Sequence, residues 1–329
     1  MVDKSIQKTL DLYREGIIID GLNASNHSDS SLVKKIHKGG VTAVNATIAA
    51  WHTPDETEQR YKMVCANIEQ NKGIARQVFS TRDILRCKED NKLGYIFGFQ
   101  GTGPIGNRLD LLDKYYEMGL RIIQLTYNST NLVGSGCMTE DKGLTNFGKQ
   151  VIKRMNELGI LIDLSHCGPL TTLQAIEYSD KQVAFTHANP IVICETKRNK
   201  SNELLKLLSE RGGVAGAVVF PSMLNCDNKA TLDDYLNLID YMVNLMGIDH
   251  VGLGPDFMEN MLKEDQDKIM NALPQQIKEK FLSVEPVKDF ENAGKFANVA
   301  EGLNQKGYKD EEIKKIMGLN WLNLYDKVW

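Results

Sequence analysis

ILIDLSHCGPLTTLQAIEYSDKQVAFTHANP, residues 160–190, carries the repeating unit of the fold. ILIDL at 160–164 is a short apolar run of strand type, and it ends on the polar pair Ser165-His166. Pro169 opens a helical stretch to Tyr178, since a proline at the first helical position gives up an N–H that has no partner there. QVAFT at 182–186 is a second strand-like run, and it too ends on a histidine, His187. Strand, helix and strand in this order predict a crossover that pairs the two strands in parallel.

The same alternation extends in both directions. Strand-like runs stand at 17–21, 40–47, 93–100 and 121–126 before the unit, and at 213–220 and 250–253 after it. Between them, 145–158 carries Phe147, Val151, Ile152, Met155 and Leu158 on one stripe and stops at Gly159. Residues 202–211 and 231–246 read as helices as well, the latter capped by Thr231 and closed by Gly247. Eight strands alternating with helices predict an α/β protein of the (β/α)8 barrel (TIM) type, one domain over 1–329 with extra terminal helices. A doubly wound open sheet shares the alternation and is the competing topology. Residues 258–312 are polar and rich in Lys and Glu, and are expected as a helical excursion outside the barrel.

Composition narrows the function. Apolar residues make up 42% and charged residues 25%, which is globular rather than disordered. Lys and Arg number 39 against 43 Asp and Glu, a net charge of −4, so no basic footprint for nucleic acid exists. No apolar run approaches the roughly 20 residues that span a bilayer, and neither end of the sequence reads as a signal peptide or lipid anchor. The six cysteines are scattered without a C-x-x-C pair, so reduced thiols and a cytoplasmic setting are expected. The partner expected is a small-molecule substrate, with neither nucleic acid nor membrane, and a homodimer is compatible with the sequence.

In a barrel the C-terminal strand ends build the active site. These ends supply Leu22 and Ala24, Gln100, Tyr127 and Asn128, His166, His187, and Asp256, with Trp51 just past the second strand. Two of only six histidines end successive strands about 4.8 Å apart, which would let His166 and His187 share one divalent metal, zinc by preference, with Asp256 as third ligand or general base. Trp51, Tyr127, Phe220 and Phe257 fall near strand ends and are expected as packing; were they to ring the mouth with Asp256, they could hold a cationic substrate. GTGPIG at 101–106 fits G-x-G-x-x-G, but Pro104 removes an amide that a pyrophosphate would use, and the glycines are read as letting the loop pass close to the mouth. Cys167 is expected as a buried, inert thiol, and His27 as an exposed loop residue.

Several long blocks resemble the membrane (renal) dipeptidase family, zinc peptidases on an amidohydrolase-like barrel. They are IIIDG at 17–21, GLTNFGKQVIKRMNELGILIDLSH at 143–166, FTHANP at 185–190, KRN at 197–199, GGV at 212–214, ATLDDYLNLIDYMVNLMGIDHVGLGPDF at 230–257 and IKKIMGLNWLNLYDKVW at 313–329. The resemblance implies a two-zinc hydrolase, but the site departs from the family pattern. Leu22 and Ala24 stand where the family's first-zinc His and Asp would be, Gln100 where its bridging Glu would be, and Tyr127 where its substrate-polarising His would be. His166 and His187 match the second-zinc pair, Arg198 the substrate-carboxylate arginine, and Asp256 the late aspartate. The resulting expectation is a divergent dipeptidase-like hydrolase or acid/base lyase holding at most one metal. It would act on a small carboxylate-bearing substrate, with Asp256, Tyr127 and Gln100 at the chemistry and Arg198, Asn128 and Trp51 binding substrate. A non-catalytic binding barrel and a true metallodipeptidase are the alternatives.

Overall fold

The computed structural model describes residues 4–226, 229–272, 278–279 and 283–329. Parallel strands β1 (Ile19–Asn23), β2 (Ala43–Ala49), β4 (Leu93–Phe99), β5 (Leu120–Gln124), β6 (Leu161–Asp163), β7 (Ala184–Phe185), β8 (Val214–Ala217) and β9 (Val251–Leu253) pair in that order. The ring closes where Asn23 bridges Phe257 in parallel, with the Ala24 N–H on Phe257 O at 2.8 Å and the Asp256 N–H on Leu22 O at 3.2 Å. The fold is therefore the (β/α)8 barrel, and the open sheet is excluded. One short strand was not expected: β3 (Ala75–Gln77) pairs with β4 outside the ring.

Strand chemistry explains which end of the barrel is open. Ile19, Ala43, Ile96, Ile122, Leu161, Ala184 and Val214 form one buried cluster with Trp321, Leu324, Tyr325 and Val328. The last four belong to the closing helix Asn320–Val328, and Trp321 donates its indole N–H to Leu253 O at 3.0 Å. This helix plugs the end where the strands begin, so the opposite end is the mouth. The other faces of the strands, among them Val44, Phe97, Ile123, Ile162 and Ala215, pack in the larger cluster with the helices outside the ring.

β7 is only two residues long because side chains replace its ladder. The Thr186 N–H goes to Asp163 Oδ1 at 3.0 Å and the His187 N–H to Ser165 Oγ at 3.1 Å. The backbone is also unusually close here: a Cβ on Gly254 would lie 1.8 Å from Thr186 O, and one on Gly216 would lie 2.1 Å from the same oxygen. In both cases the neighbour is backbone, so nothing flexible can yield. Gly254→Ala is expected to cost about 3 kcal/mol or more, the scale of overpacking a rigid core, and to show in thermal melting as a fall of about 4 °C or more.

Residues 273–277 and 280–282 of the 258–312 segment lie outside the described residues. Its helix Lys263–Ala272 lies against the mouth, held by Asp265, while Phe296–Gln305 packs on Leu232–Met246. Among the described residues no helix is long and apolar enough to cross a membrane.

Candidate active site

Five of the strand ends reach one small cavity of about 40 Å³. Gln100 after β4, Tyr127 after β5 and Asp256 after β9 line it with Ala24, Trp51 and His52. Gln100 donates its amide to Thr47 Oγ1 at 2.9 Å. Gly101 and Gly103 let their loop pass beneath Ala50, whose carbonyl lies 2.9 Å from where either Cβ would stand, so the glycine motif serves packing as expected. Trp51 sets its ring edge-to-face against Tyr127 at 4.9 Å.

Asp256 has a positive φ of 64°, a conformation that turns its side chain out of the strand direction. Its carboxylate has no hydrogen-bond partner among the described residues. Burial in the mouth pushes its pKa up to about 7, Arg198 opposes the shift, and Asp163 adds to it. Burial likewise raises the Tyr127 hydroxyl, so that group is a proton donor at neutral pH.

His166, His187 and Arg198 do not line this cavity; they lie behind Tyr127, whose ring stacks on His166 at 4.2 Å and 21°. The two imidazoles share a hydrogen bond, Nε2 to Nε2 at 2.9 Å. That bond sits inside a continuous line. His166 Nδ1 meets Asn128 Oδ1 at 2.7 Å, His187 Nδ1 meets Thr186 Oγ1 at 2.8 Å, and Thr186 Oγ1 meets Asp163 Oδ2 at 2.6 Å. Thr186 Oγ1 donates that last bond, and the Ser165 hydroxyl donates to Asp163 Oδ1 at 2.5 Å, so the line ends on an accepting carboxyl group. Burial raises the Asp163 pKa, and the hydrogen bonds from Ser165 and Thr186 oppose the shift. Burial, the Arg198 charge and Lys200 hold both histidines neutral, and His187 adds to the effect on His166.

This donor set does not fit a zinc ion. Both Nε2 atoms are engaged with each other, a guanidinium stands beside them, and among the described residues no group of three or more His, Cys, Asp or Glu side chains is placed to hold a metal. The two rings are neighbours, as expected, but in the structure they share a hydrogen bond and do not face the cavity. Arg198 donates to Ser165 O and, at 3.3 Å, to His187 O, so two of its N–H groups brace the β6 and β7 ends.

The roof of the cavity was not foreseen. The Ala50 N–H donates to His52 Nδ1 at 3.2 Å, so the ring proton is on Nε2, which donates to Asp265 Oδ1 at 3.1 Å. Arg60 adds a 2.7 Å bond to Asp265 Oδ2. Burial works to raise the Asp265 pKa, but His52 and Arg60 outweigh it and hold the carboxylate ionised. Asp265 and Ile269 of helix Lys263–Ala272 thus close the cavity, with Met261 just before that helix. The Thr53–Glu56 capping box that starts helix Pro54–Gln70 and sets Arg60 was readable as T-P-x-E; no local signal marks Asp265 as its partner. Asp265→Ala is expected to loosen this helix by about 2 kcal/mol, between the worth of an exposed ion pair and the cost of breaking a buried one. Amide exchange across it would then run roughly 30-fold faster, with the rest of the barrel unchanged.

Two further expectations are corrected. His27 is buried, with Nε2 on Asn23 O at 3.0 Å and its ring against Tyr95, and burial lowers its pKa to about 4. The cysteines are not all reduced: Cys194 and Cys226, 32 residues apart in sequence, form a disulfide because the loops after β7 and β8 converge. The reducing-compartment argument therefore does not apply to that pair. Cys167 is fully buried, and its thiol is pushed up to about 11, as expected of an inert group.

A parallel barrel whose mouth is built from these strand ends, with a His pair, an Arg and a late Asp, belongs to the amidohydrolase-like class. Over 98% of its length the chain superposes on an amidohydrolase from Pseudomonas aeruginosa, covering 99% of that chain with a TM-score of 0.91 and 32% identity. The sequence model of the membrane dipeptidases (Peptidase family M19) matches residues 1–282, and the chain belongs to that family. Dipeptidase tcpJ of Claviceps purpurea is 26% identical over 250 residues, which take in 75% of this chain but 53% of that protein; the chain spans about half the length of that relative. A metallo peptidase from Rhodobacter sphaeroides, solved with a phosphinate mimic of L-Ala-D-Ala, shares the fold with a TM-score of 0.81 at 17% identity, over 95% of this chain and 100% of its own.

Proposed function

We propose that this dipeptidase-family barrel is an enzyme that works by proton transfer through Asp256 on a small carboxylate-bearing substrate, as a hydrolase or an acid/base lyase, rather than through a bridged pair of zinc ions. The observation that carries the reading is the Asp256 carboxylate, which stands unpartnered in the mouth with its pKa raised to about 7. Tyr127 and Gln100 supply the neutral donors beside it, suited to a developing negative charge. The Arg198 charge, which acts on both Asp256 and Tyr127, favours a substrate carboxylate near that wall. His166 and His187 act as positioning residues: His166 stacks under Tyr127, and the pair holds Asn128 and Thr186 in line. The family's metal chemistry enters no step, since Leu22, Ala24 and Gln100 supply none of its ligands.

The test is a panel of small carboxylate-bearing amides, lactones and hydroxy acids, given to protein dialysed against a chelator. Turnover that survives chelation and is lost in Asp256→Asn supports the reading. Turnover that needs added zinc and persists in Asp256→Asn overturns it.

A further inference from the structure

Asp256 faces a second and larger space. A cavity of about 380 Å³ lies between the segments that follow β8 and β9, and it shares Asp256, Met258 and Met261 with the small one. The two volumes divide the labour. The small cavity, at about 40 Å³, holds little more than a carboxylate or a water or two. The larger one falls in the range of small-molecule sites. A molecule that reacts at Asp256 and is bigger than a few atoms must place its bulk there.

Its lining states the chemistry of that bulk. Val219, Phe220, Pro221, Phe257, Val287 and Phe290 make the walls apolar. Phe257 and Phe290 are fixed by edge-to-face packing at 5.2 Å, so that wall is preformed. Among the described residues, the ionisable groups that line the space are Asp256, Glu259 and Glu291, with no Lys, Arg or His. Glu259 is paired outward with Lys35, and Glu291 with Lys295 at 2.6 Å, while Asp256 has no such partner. Among the described residues, an anionic group would meet one unneutralised carboxylate and no lining cation, in surroundings poorer in water than the bulk.

We propose that this cavity is a substrate subsite for an aryl or branched-alkyl group without negative charge, so that the substrate is a small carboxylate whose polar end enters the Gln100–Tyr127 cavity and whose apolar body lies between Phe220 and Phe290. The inference rests on the reading of Asp256 as the reacting group, but it concerns binding and is measured without turnover.

The experiment titrates the full chain by calorimetry with propanoate, 3-phenylpropanoate and 3-(4-carboxyphenyl)propanoate. The phenyl ring is expected to tighten binding about 30-fold, the scale of burying one such ring. The extra ring carboxylate is expected to cancel most of that gain. Val284→Trp fills the cavity from its partly open rim and should abolish the gain; Phe220→Ala removes one wall and should reduce it. No gain from the ring, equal gain for the carboxylated ring, or a gain untouched in both variants would overturn the proposal. Because the readout is a ratio of affinities, it stands apart from the chemistry. A ring gain without Asp256-dependent turnover would sink the acid/base reading alone, and Asp256-dependent turnover without a ring gain would sink the subsite alone.

Discussion

Purified protein supplied with zinc is expected to leave ordinary dipeptides intact, at less than roughly 10⁻⁴ of the rate of a two-zinc peptidase. Amide hydrolysis at neutral pH needs a hydroxide, and such enzymes form it on one strongly polarising metal or between two. In this chain Leu22 and Ala24 offer no donor, and Gln100, bound to Thr47, offers a neutral amide where a bridging carboxylate would offset two dications. The remaining imidazoles satisfy each other at 2.9 Å. Removing one group that stabilises the transition state slows such a reaction on the order of 10²-fold, and two removals suffice for the stated limit even though their effects do not simply add. The measurement is a mixed dipeptide panel with added zinc, alongside elemental analysis and a Leu22→His, Ala24→Asp, Gln100→Glu triple variant. Robust cleavage by the parent chain, abolished in His166→Ala, would show that the histidines exchange their proton for a metal in solution.

Replacing Asp256 by Asn is expected to lower kcat/KM on the true substrate by about 10²- to 10⁴-fold, the usual worth of a general base, with little change in ring-dependent binding. A base works as its carboxylate. The parent's kcat/KM should therefore climb with pH and level off above about 7, and the variant's residual rate should lack that limb. Stability moves the opposite way. The folded-state pKa, about 7, lies above the ordinary 3.8, so the protonated form is the one folding favours. The stability this group contributes is complete below pH 4 and is lost as pH rises through 7. Asn stays neutral throughout, so the Tm of the variant relative to the parent should be more favourable at pH 8 than at pH 5. A difference that is flat with pH would mean that the carboxyl is not desolvated.

Much of the mouth was legible because parallel strands announce their own ends. The runs ending at Gln100, Thr126, Leu164, Thr186 and Leu253 each break from apolar to polar within a residue or two, and the next side chains are those found at the mouth. What sequence spacing does not encode is how those side chains orient. His166 and His187 were rightly placed as neighbours, but the Thr186 hydroxyl and the Tyr127 ring, which turn them toward each other and away from the cavity, come from tertiary packing. Pairings across long separations were equally silent. Asp265 meets His52 across 213 residues, and nothing in the polar run around it distinguishes that aspartate from its neighbours Glu264 and Asp267. Cys194 and Cys226 lack a spacing motif, and only the convergence of two loops pairs them. His27 was misjudged because a polar loop sequence hides the asparagines, Asn23 and Asn67, that bond its ring and its carbonyl and so allow its burial.

At position 256 one residue serves two masters through different atoms. Its amide helps to seal the ring by bonding Leu22 O, while its carboxyl is spent on nothing in the frame. An exchange to asparagine or glycine would leave the closure standing, because each tolerates the left-handed backbone there and brings the same N–H. Lineages that carry this architecture can therefore trade one reactivity for another at the lip of the ring without first relearning how to close it.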